Sequence, residues 1–357
     1  MGCGFSVYFG LDNTIEENIK LLEEAYKLKF TRIFTSFHIP EANYDIFKSE
    51  VKEFFKIAKE HNMDIISDIS PNTFKFLELE NMDLIGLKDI GVKTIRIDFG
   101  YSEEEIAKMS KNTYGIKIQL NASTITKAFF EELDKYSPHY ENIDALHNFY
   151  PRVDTGISEE CMKEKNKILK ERGIKVSAFV QSNNRKRGPF KEGLPTLEDH
   201  RGLEIRETAN HLFALGNQCV FIGDSLPSKE ELEDLSSLKP EAVELLIELK
   251  DHSDITLRLL RETYTQRIDE ARDAIRASES RLLLNGEKIK PFNTIDKKYG
   301  DITIDNEEYM RYMGELQILK TNQKADHRTN VVARVAENYV HMLKYIDGGK
   351  KFYFNIK

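Results

Sequence analysis

The chain has 357 residues, 40 % hydrophobic and 31 % charged, which is the make-up of a folded globular protein and excludes a disordered one. That length exceeds the ~150 residues usual for one domain, so two are expected. A formal net charge of −8 argues against a general nucleic-acid surface, and no apolar run approaches the ~20 residues of a membrane helix. Any anion site must therefore come from cations gathered locally. Cys3, Cys161 and Cys219 are widely spaced and read as free thiols in a reducing compartment. Met1-Gly2 with Ser6 fits a loose acylation pattern, but the stretch 4–10 reads better as a first strand. No charged segment followed by an apolar one suggests export, so the expected location is the cytoplasm.

Short apolar runs recur about every 30 residues, at 5–9, 32–34, 64–66, 94–97, 116–120, 143–146, 176–180 and 219–222. They are rich in β-branched and aromatic residues and predict eight strands. Amphipathic segments between them carry helix starts: Thr14 with Glu17, Ser102 with Glu105 and Ser228 with Glu231 match the capping box. Gly91 and Gly173 stand where helices should stop before the fourth and seventh strands. Eight strand–helix units predict an α/β fold, a (β/α)8 TIM barrel spanning residues 1–239. An open doubly wound sheet is the alternative, but no GxGxxG follows the first strand.

The regularity breaks near Pro240, and residues 240–357 read as a smaller, mainly β domain. Residues 255–277 read as largely helical, and Asn285-Gly286 as a hairpin turn. Strand-like runs follow at 302–304, 316–319, 331–333 and 352–354. No low-complexity linker separates the halves, so they are expected to pack together.

In such a barrel the chemistry gathers at the C-terminal ends of the strands. Those ends carry His38 and Glu41, Asp68, Asp98, Asn121, His147-Asn148-Phe149-Tyr150-Pro151-Arg152, Gln181 and Asp224. Turn chemistry explains some of these residues, but a polar group at nearly every strand end is more than turns require. Asp68 and Asp98 end neighbouring strands, which lie ~4.8 Å apart, and so offer a carboxylate pair for acid–base or nucleophilic work. Glu41, Glu192 and Asp224 are further acidic candidates, and the sequence does not choose among the five. Arg185-Lys186-Arg187 in the seventh loop, with Arg152 and His200-Arg201 nearby, suits capture of a phosphate or carboxylate. No phosphate-binding P-loop is present, and His38, His147 and His200 lack metal-ligand spacing, so neither a cofactor nor a metal is expected.

The ordered motifs resemble those of the bacterial 6-phospho-N-acetylmuramidase family. The likeness runs through Gly4-Phe5-Ser6-Val7-Tyr8, His38-Ile39-Pro40-Glu41, Ser67-Asp68-Ile69-Ser70-Pro71 and Arg96-Ile97-Asp98-Phe99-Gly100. It continues through Leu120-Asn121-Ala122-Ser123, Arg187-Gly188-Pro189, Gly223-Asp224, Gly300-Asp301-Ile302-Thr303-Ile304 and Gly314-Glu315-Leu316-Gln317. One departure is Ala333-Arg334 after Asn330-Val331-Val332, where a glycine is expected at a local turn.

The resemblance implies a TIM barrel followed by a cyclophilin-like β domain that closes over the site. It also implies an intracellular glycosidase cleaving N-acetylmuramic acid 6-phosphate from N-acetylglucosamine in peptidoglycan recycling. On this reading the partner is that phosphorylated amino-sugar disaccharide, with no nucleic acid and no membrane, and homo-oligomerisation is left open. Asp98 and Asp68 lead as catalytic carboxylates. Tyr8, Asn121, His147, Asn148 and Tyr150 are expected to hold the sugar. Arg152, Arg185 and Arg187 are expected to hold its anionic groups, Asp224 is placed among the substrate-binding residues, and His327-Arg328 of the second domain are expected to contribute to a lid. The rival is an isomerase or aldolase acting on another sugar phosphate, although neither a strand-end lysine nor a metal cluster is evident.

Overall fold

A computed structural model describes residues 2–37, 44–69, 73–74, 79–80 and 82–357. Glu41 and His38 lie outside the described residues. The chain divides into two compact units, Met1–Leu238 and Lys239–Lys357.

The first unit is a closed barrel of eight parallel strands in sequence order: β1 (Gly2–Ser6), β2 (Arg32–Ser36), β3 (Asp64–Ile69), β4 (Thr94–Ile97), β5 (Lys117–Asn121), β6 (Ile143–Leu146), β7 (Lys175–Val180) and β8 (Cys219–Ile222). The helices between them are α1 (Ile15–Lys27), α2 (Tyr44–Glu60), α3 (Leu84–Asp89), α4 (Glu103–Ser110), α5 (Lys127–Lys135), α6 (Glu159–Lys170), α7 (Ile205–Ala214) and α8 (Lys229–Ser237). All three anticipated capping boxes form, at α1, α4 and α8. Gly91 and Gly173 adopt φ of 109° and 71°, the left-handed turn that ends a helix at little cost to glycine. Among the described residues, no helix is long and apolar enough to cross a membrane.

The first strand starts earlier than its apolar run suggests. Gly2 pairs with Cys219 and Gly4 with Arg32, so the ladder uses 2–6 and releases Val7, Tyr8 and Phe9 above it. A Cβ on Gly4 would stand 2.3 Å from the Phe221 ring, so glycine makes room there for a fully buried aromatic. Phe34, Ile66, Leu146, Phe179 and Phe221 fill the barrel axis. At its N-terminal end Arg32 bridges Asp64 at 2.9 Å and Asp144 at 2.8 Å, closing the floor with ions away from the strand ends that matter for chemistry.

The second unit is a seven-stranded sheet in the order β10-β15-β9-β14-β12-β13-β11, antiparallel except for the β15–β9 pair. Its strands are β9 (Ala242–Leu249), β10 (Thr263–Thr265), β11 (Ala274–Arg276), β12 (Asp301–Asp305), β13 (Leu316–Leu319), β14 (Thr329–Val335) and β15 (Lys351–Ile356). Three expectations change here. The region 255–277 is helical only in α9 (Asp254–Leu260), and then forms two three-residue strands. Asn285 and Gly286 do take φ of 50° and 83°, but they end a 3-10 turn at Ser280–Leu284 and join no hairpin. Ala333 needs no glycine-like turn: it lies buried within β14, paired with Ile302, and the irregularity is a bulge at Val332.

Candidate active site

Alternation along a strand puts Arg96 and Asp98 of the β4 end on one side of the sheet. The register sets Asp68 directly opposite Arg96. The Arg96 guanidinium, on a residue only 3 % exposed, lies 2.7 Å from Asp68 Oδ1 and 3.6 Å from Asp98 Oδ1. The sum of 2.7 and 3.6 Å limits the separation of those two carboxylate oxygens to 6.3 Å. Asn121, at the end of β5, donates from Nδ2 to Asp98 Oδ1 at 2.7 Å. Arg96 also donates to Asn148 Oδ1. Asp68, Arg96, Asp98, Asn148 and the rings of Phe34, Phe149 and Phe179 line a cavity of about 210 Å3.

The β6 loop is fixed from beneath. His147 is fully buried, with Nε2 3.0 Å from Asn166 Oδ1 and Nδ1 3.1 Å from Ser123 Oγ. Burial pulls its pKa down to about 4, so the ring is neutral and donates to Asn166 while accepting from Ser123. Ser123 Oγ in turn accepts the Asn148 backbone N–H at 3.0 Å. His147 therefore positions Asn148 and does not itself face the cavity. Tyr150 sits half-buried beside it, its hydroxyl pKa raised by burial.

Arg187 enters from the seventh loop. Its guanidinium carbon lies 4.8 Å from the centre of the Tyr8 ring and 5.0 Å from that of Phe149, within cation–π range of both. Among the described residues the guanidinium has no hydrogen-bonding or ionic partner, and its Nε is buried without one. Tyr8 is itself buried, and its hydroxyl donates to the Gly223 carbonyl at 2.6 Å. Phe149 thus touches Arg187 and also lines the carboxylate cavity.

Other anticipated residues have different work. Asp224 is wholly buried and accepts backbone N–H groups from Ser182, Arg187 and Leu194 at 2.9, 3.0 and 3.1 Å, so it shapes the seventh loop. Arg185 pairs with Glu17 of α1 at 2.9 Å. With Lys186, Lys191, Asp12 and Asn184 it also lines a separate recess of about 490 Å3. Arg152 and Glu192 are exposed, and neither lines the carboxylate cavity. Their carbonyls accept from Arg201, which also pairs with Glu198 at 2.6 Å and braces the sixth and seventh loops together. Hydrogen bonds from Arg201 and from the Asp154 and Gly156 amides pull the Glu198 carboxyl down to about 2. His327 is exposed in the second unit, where Arg328 is paired with Asp326 at 2.9 Å. Arg96 is a site residue absent from the expected set, and its signal in the sequence is a charge in the middle of the apolar strand Thr94–Ile97.

Residues 3–237 match the N-terminal domain, and residues 243–355 the C-terminal domain, described as those of 6-phospho-N-acetylmuramidase. The chain belongs to the 6-phospho-N-acetylmuramidase family. It is also similar to two solved structures along its whole length. One is an uncharacterized B. cereus protein, 30 % identical, matched over 99 % of both chains with a TM-score of 0.85. The other is a conserved Enterococcus faecalis protein of unknown function, 33 % identical, with a TM-score of 0.70 over 100 % of this chain and 97 % of that one. No curated protein matches the sequence. The 6-phospho-N-acetylmuramidase name indicates a glycosidase-like enzyme, and two carboxylates held together over a small polar cavity are the equipment such chemistry uses.

Proposed function

We propose that the chain is a cytoplasmic glycoside hydrolase that cleaves N-acetylmuramic acid 6-phosphate from N-acetylglucosamine during the recycling of cell-wall peptidoglycan. The observation that carries this reading is a pair of carboxylates and the Arg187 guanidinium, which has no hydrogen-bonding or ionic partner among the described residues, with Phe149 in contact with both. A neutral sugar needs no such cation. A phosphorylated or lactyl-substituted one does.

In this mechanism Asp98 is the acid. Asn121 occupies its Oδ1, leaving Oδ2 to give a proton to the glycosidic oxygen as the bond to the anomeric carbon breaks. Asp68, held by Arg96, meets the oxocarbenium-like centre as the carboxylate. Water then adds at the anomeric carbon and returns a proton to Asp98. The Oδ1 atoms of the two carboxylates lie within 6.3 Å of each other, the sum of 2.7 and 3.6 Å, near enough for both groups to act on one glycosidic bond. Asn148 and Tyr150 hold sugar hydroxyls and the acetamido group, while Arg187, Lys186 and Lys191 hold the anionic ones. The second unit is a cyclophilin-like domain in this reading.

The test is release of N-acetylmuramic acid 6-phosphate from the disaccharide, with the unphosphorylated disaccharide in parallel. Cleavage confined to the phosphorylated form is expected, and Asp68→Asn and Asp98→Asn should each lower turnover by about 10²-fold or more. Near-normal turnover in both variants would falsify the assignment.

A further inference from the structure

The loops after β6 and β7 carry parts that must face one substrate together: Asn148 and Phe149 on the sixth, Arg187 on the seventh. Strand register does not set these loops against each other, because β6 ends at Leu146 and β7 at Val180. A separate seam does. Thr196 Oγ1 donates to the Asn148 carbonyl at 2.9 Å, and the Tyr150 amide donates to the Pro195 carbonyl at 3.0 Å. Ile157 and Leu197 then form a parallel bridge between the two loops.

Arg201 closes this seam with a side chain only 12 % exposed. Its Nη1 donates to the carbonyls of Glu192 and Gly193, both at 3.1 Å, in the seventh loop. Its Nη2 donates to those of Tyr150 and Arg152, at 2.9 and 3.3 Å, in the sixth. Nε and Nη2 also grip Glu198, at 2.6 and 2.8 Å, and Glu198 accepts the Asp154 and Gly156 amides of the sixth loop at 2.9 and 2.7 Å. A Cβ on Gly156 would stand 2.7 Å from the Glu198 backbone nitrogen and from its Oε2, so only glycine allows this approach. The turn that bears Glu198 and Arg201 is itself held to the barrel, since His200 Nε2 lies 2.9 Å from His211 Nδ1 of α7. A planar fork of five donors can serve two loops and a carboxylate at once, whereas a lysine ammonium cannot.

We infer that Arg201, acting with Glu198, is a positioning residue that locks the sugar-holding sixth loop to the anion-holding seventh and so governs substrate affinity, a role that rests on the glycosidase reading of this site. Phe149 is where the two loops meet, with the Arg187 guanidinium carbon 5.0 Å from its ring centre. Asp68 and Asp98 stand at the ends of β3 and β4, outside the seam. Loosening the seam should therefore weaken binding more than it slows turnover.

Steady-state kinetics of Arg201→Gln on the phosphorylated disaccharide test this, with folding checked by circular dichroism. KM should rise about tenfold while kcat stays within about threefold, the split expected when binding is lost without loss of transition-state contacts. Arg201→Lys keeps a charge beside Glu198 but not the fork, so its KM should stay about threefold or more above that of the unaltered chain. If Arg201→Gln does not fold, Gly156→Ala takes its place, pressing on Glu198 from the sixth loop, with the same rise in KM expected. An unchanged KM in the folded variant, a loss confined to kcat, or full rescue by Arg201→Lys overturns the proposal. Deuterium exchange separates this role from the reading beneath it. If the unaltered chain cleaves no disaccharide, the glycosidase reading fails, and exchange over residues 150–156 decides whether Arg201 locks the loops. Exchange about tenfold faster in the variant than in the unaltered chain supports the lock, and equal exchange overturns it.

Discussion

Removing the guanidinium between the two carboxylates is the most direct probe of the barrel site. Arg96 is 3 % exposed and makes a 2.7 Å contact with Asp68, whose side chain is 18 % exposed. At an effective dielectric of ~20 that contact corresponds to about 6 kcal/mol of attraction, and the desolvation of both ions offsets much of it. Breaking such a pair from one side typically costs about 3–5 kcal/mol, because the other charge is stranded. Partial exposure of Asp68 puts Arg96→Met near the lower end, about 3 kcal/mol. Neutralising the stranded group as well should recover part of this, so Arg96→Met/Asp68→Asn is expected to be about 1–3 kcal/mol more stable than the sum of the single changes implies. The chain contains no tryptophan, so urea unfolding is best followed by tyrosine fluorescence and far-UV circular dichroism, taking the transition of the barrel unit. Single-variant losses that add to within ~0.5 kcal/mol would show that Arg96 and Asp68 are not energetically joined, and the reading of the site as one charged unit would be wrong.

Three further outcomes follow from other parts of the barrel. Arg187→Met should lower the preference for the phosphorylated over the unphosphorylated disaccharide by about 10–10²-fold, the equivalent of one charge-assisted contact, in paired rate measurements; an unchanged ratio would remove Arg187 from anion recognition. His147 has a folded-state pKa of about 4 against ~6.5 unfolded, so the unfolded chain binds the extra proton, and stability falls as pH drops from 6.5 towards 4. The loss should reach about 2–3 kcal/mol by pH 4.5 in urea titrations, and His147→Gln should flatten that slope. Gly4→Ala should destabilise the barrel by about 1–3 kcal/mol, read as a lower Tm, because its Cβ meets the Phe221 ring at 2.3 Å; a neutral result would mean that Phe221 repacks freely.

Much of the barrel is legible because each strand is a short apolar run bounded by a helix start or a helix-ending glycine. Thr14, Ser102 and Ser228 announce their helices by local hydrogen bonding alone, which needs no knowledge of the fold. The second unit is less legible for equally physical reasons. Strands of three residues, such as Thr263–Thr265 and Ala274–Arg276, are too short to show a two-residue period. Ala242–Leu249 hides as a strand because Glu244, fully buried, interrupts its apolar pattern.

At the site, Asp68 and Asp98 could be paired from sequence because adjacent strand ends must be neighbours in a barrel of this order. The fate of the cations could not. Arg185 and Arg187 are two residues apart, yet one is taken by Glu17, 168 positions away, while the other packs into the corner formed by the Tyr8 and Phe149 rings. His147 and Asp224 look like ligand-binding residues in a string of strand-end polar groups. Only burial shows that they act on the backbone of the loops instead.

The three amides gathered on Asp224 have a consequence for how the seventh loop opens. Ser182, Arg187 and Leu194 span thirteen positions, but all hang from one carboxylate whose own pKa is raised by burial. Releasing any one of them strains the other two, so the loop should behave as a single cooperative unit and not as independently fraying segments. In deuterium-exchange measurements these amides should share one opening free energy. Arg187 would then be delivered to the site, or withdrawn from it, together with the whole loop and never by a rotamer change alone.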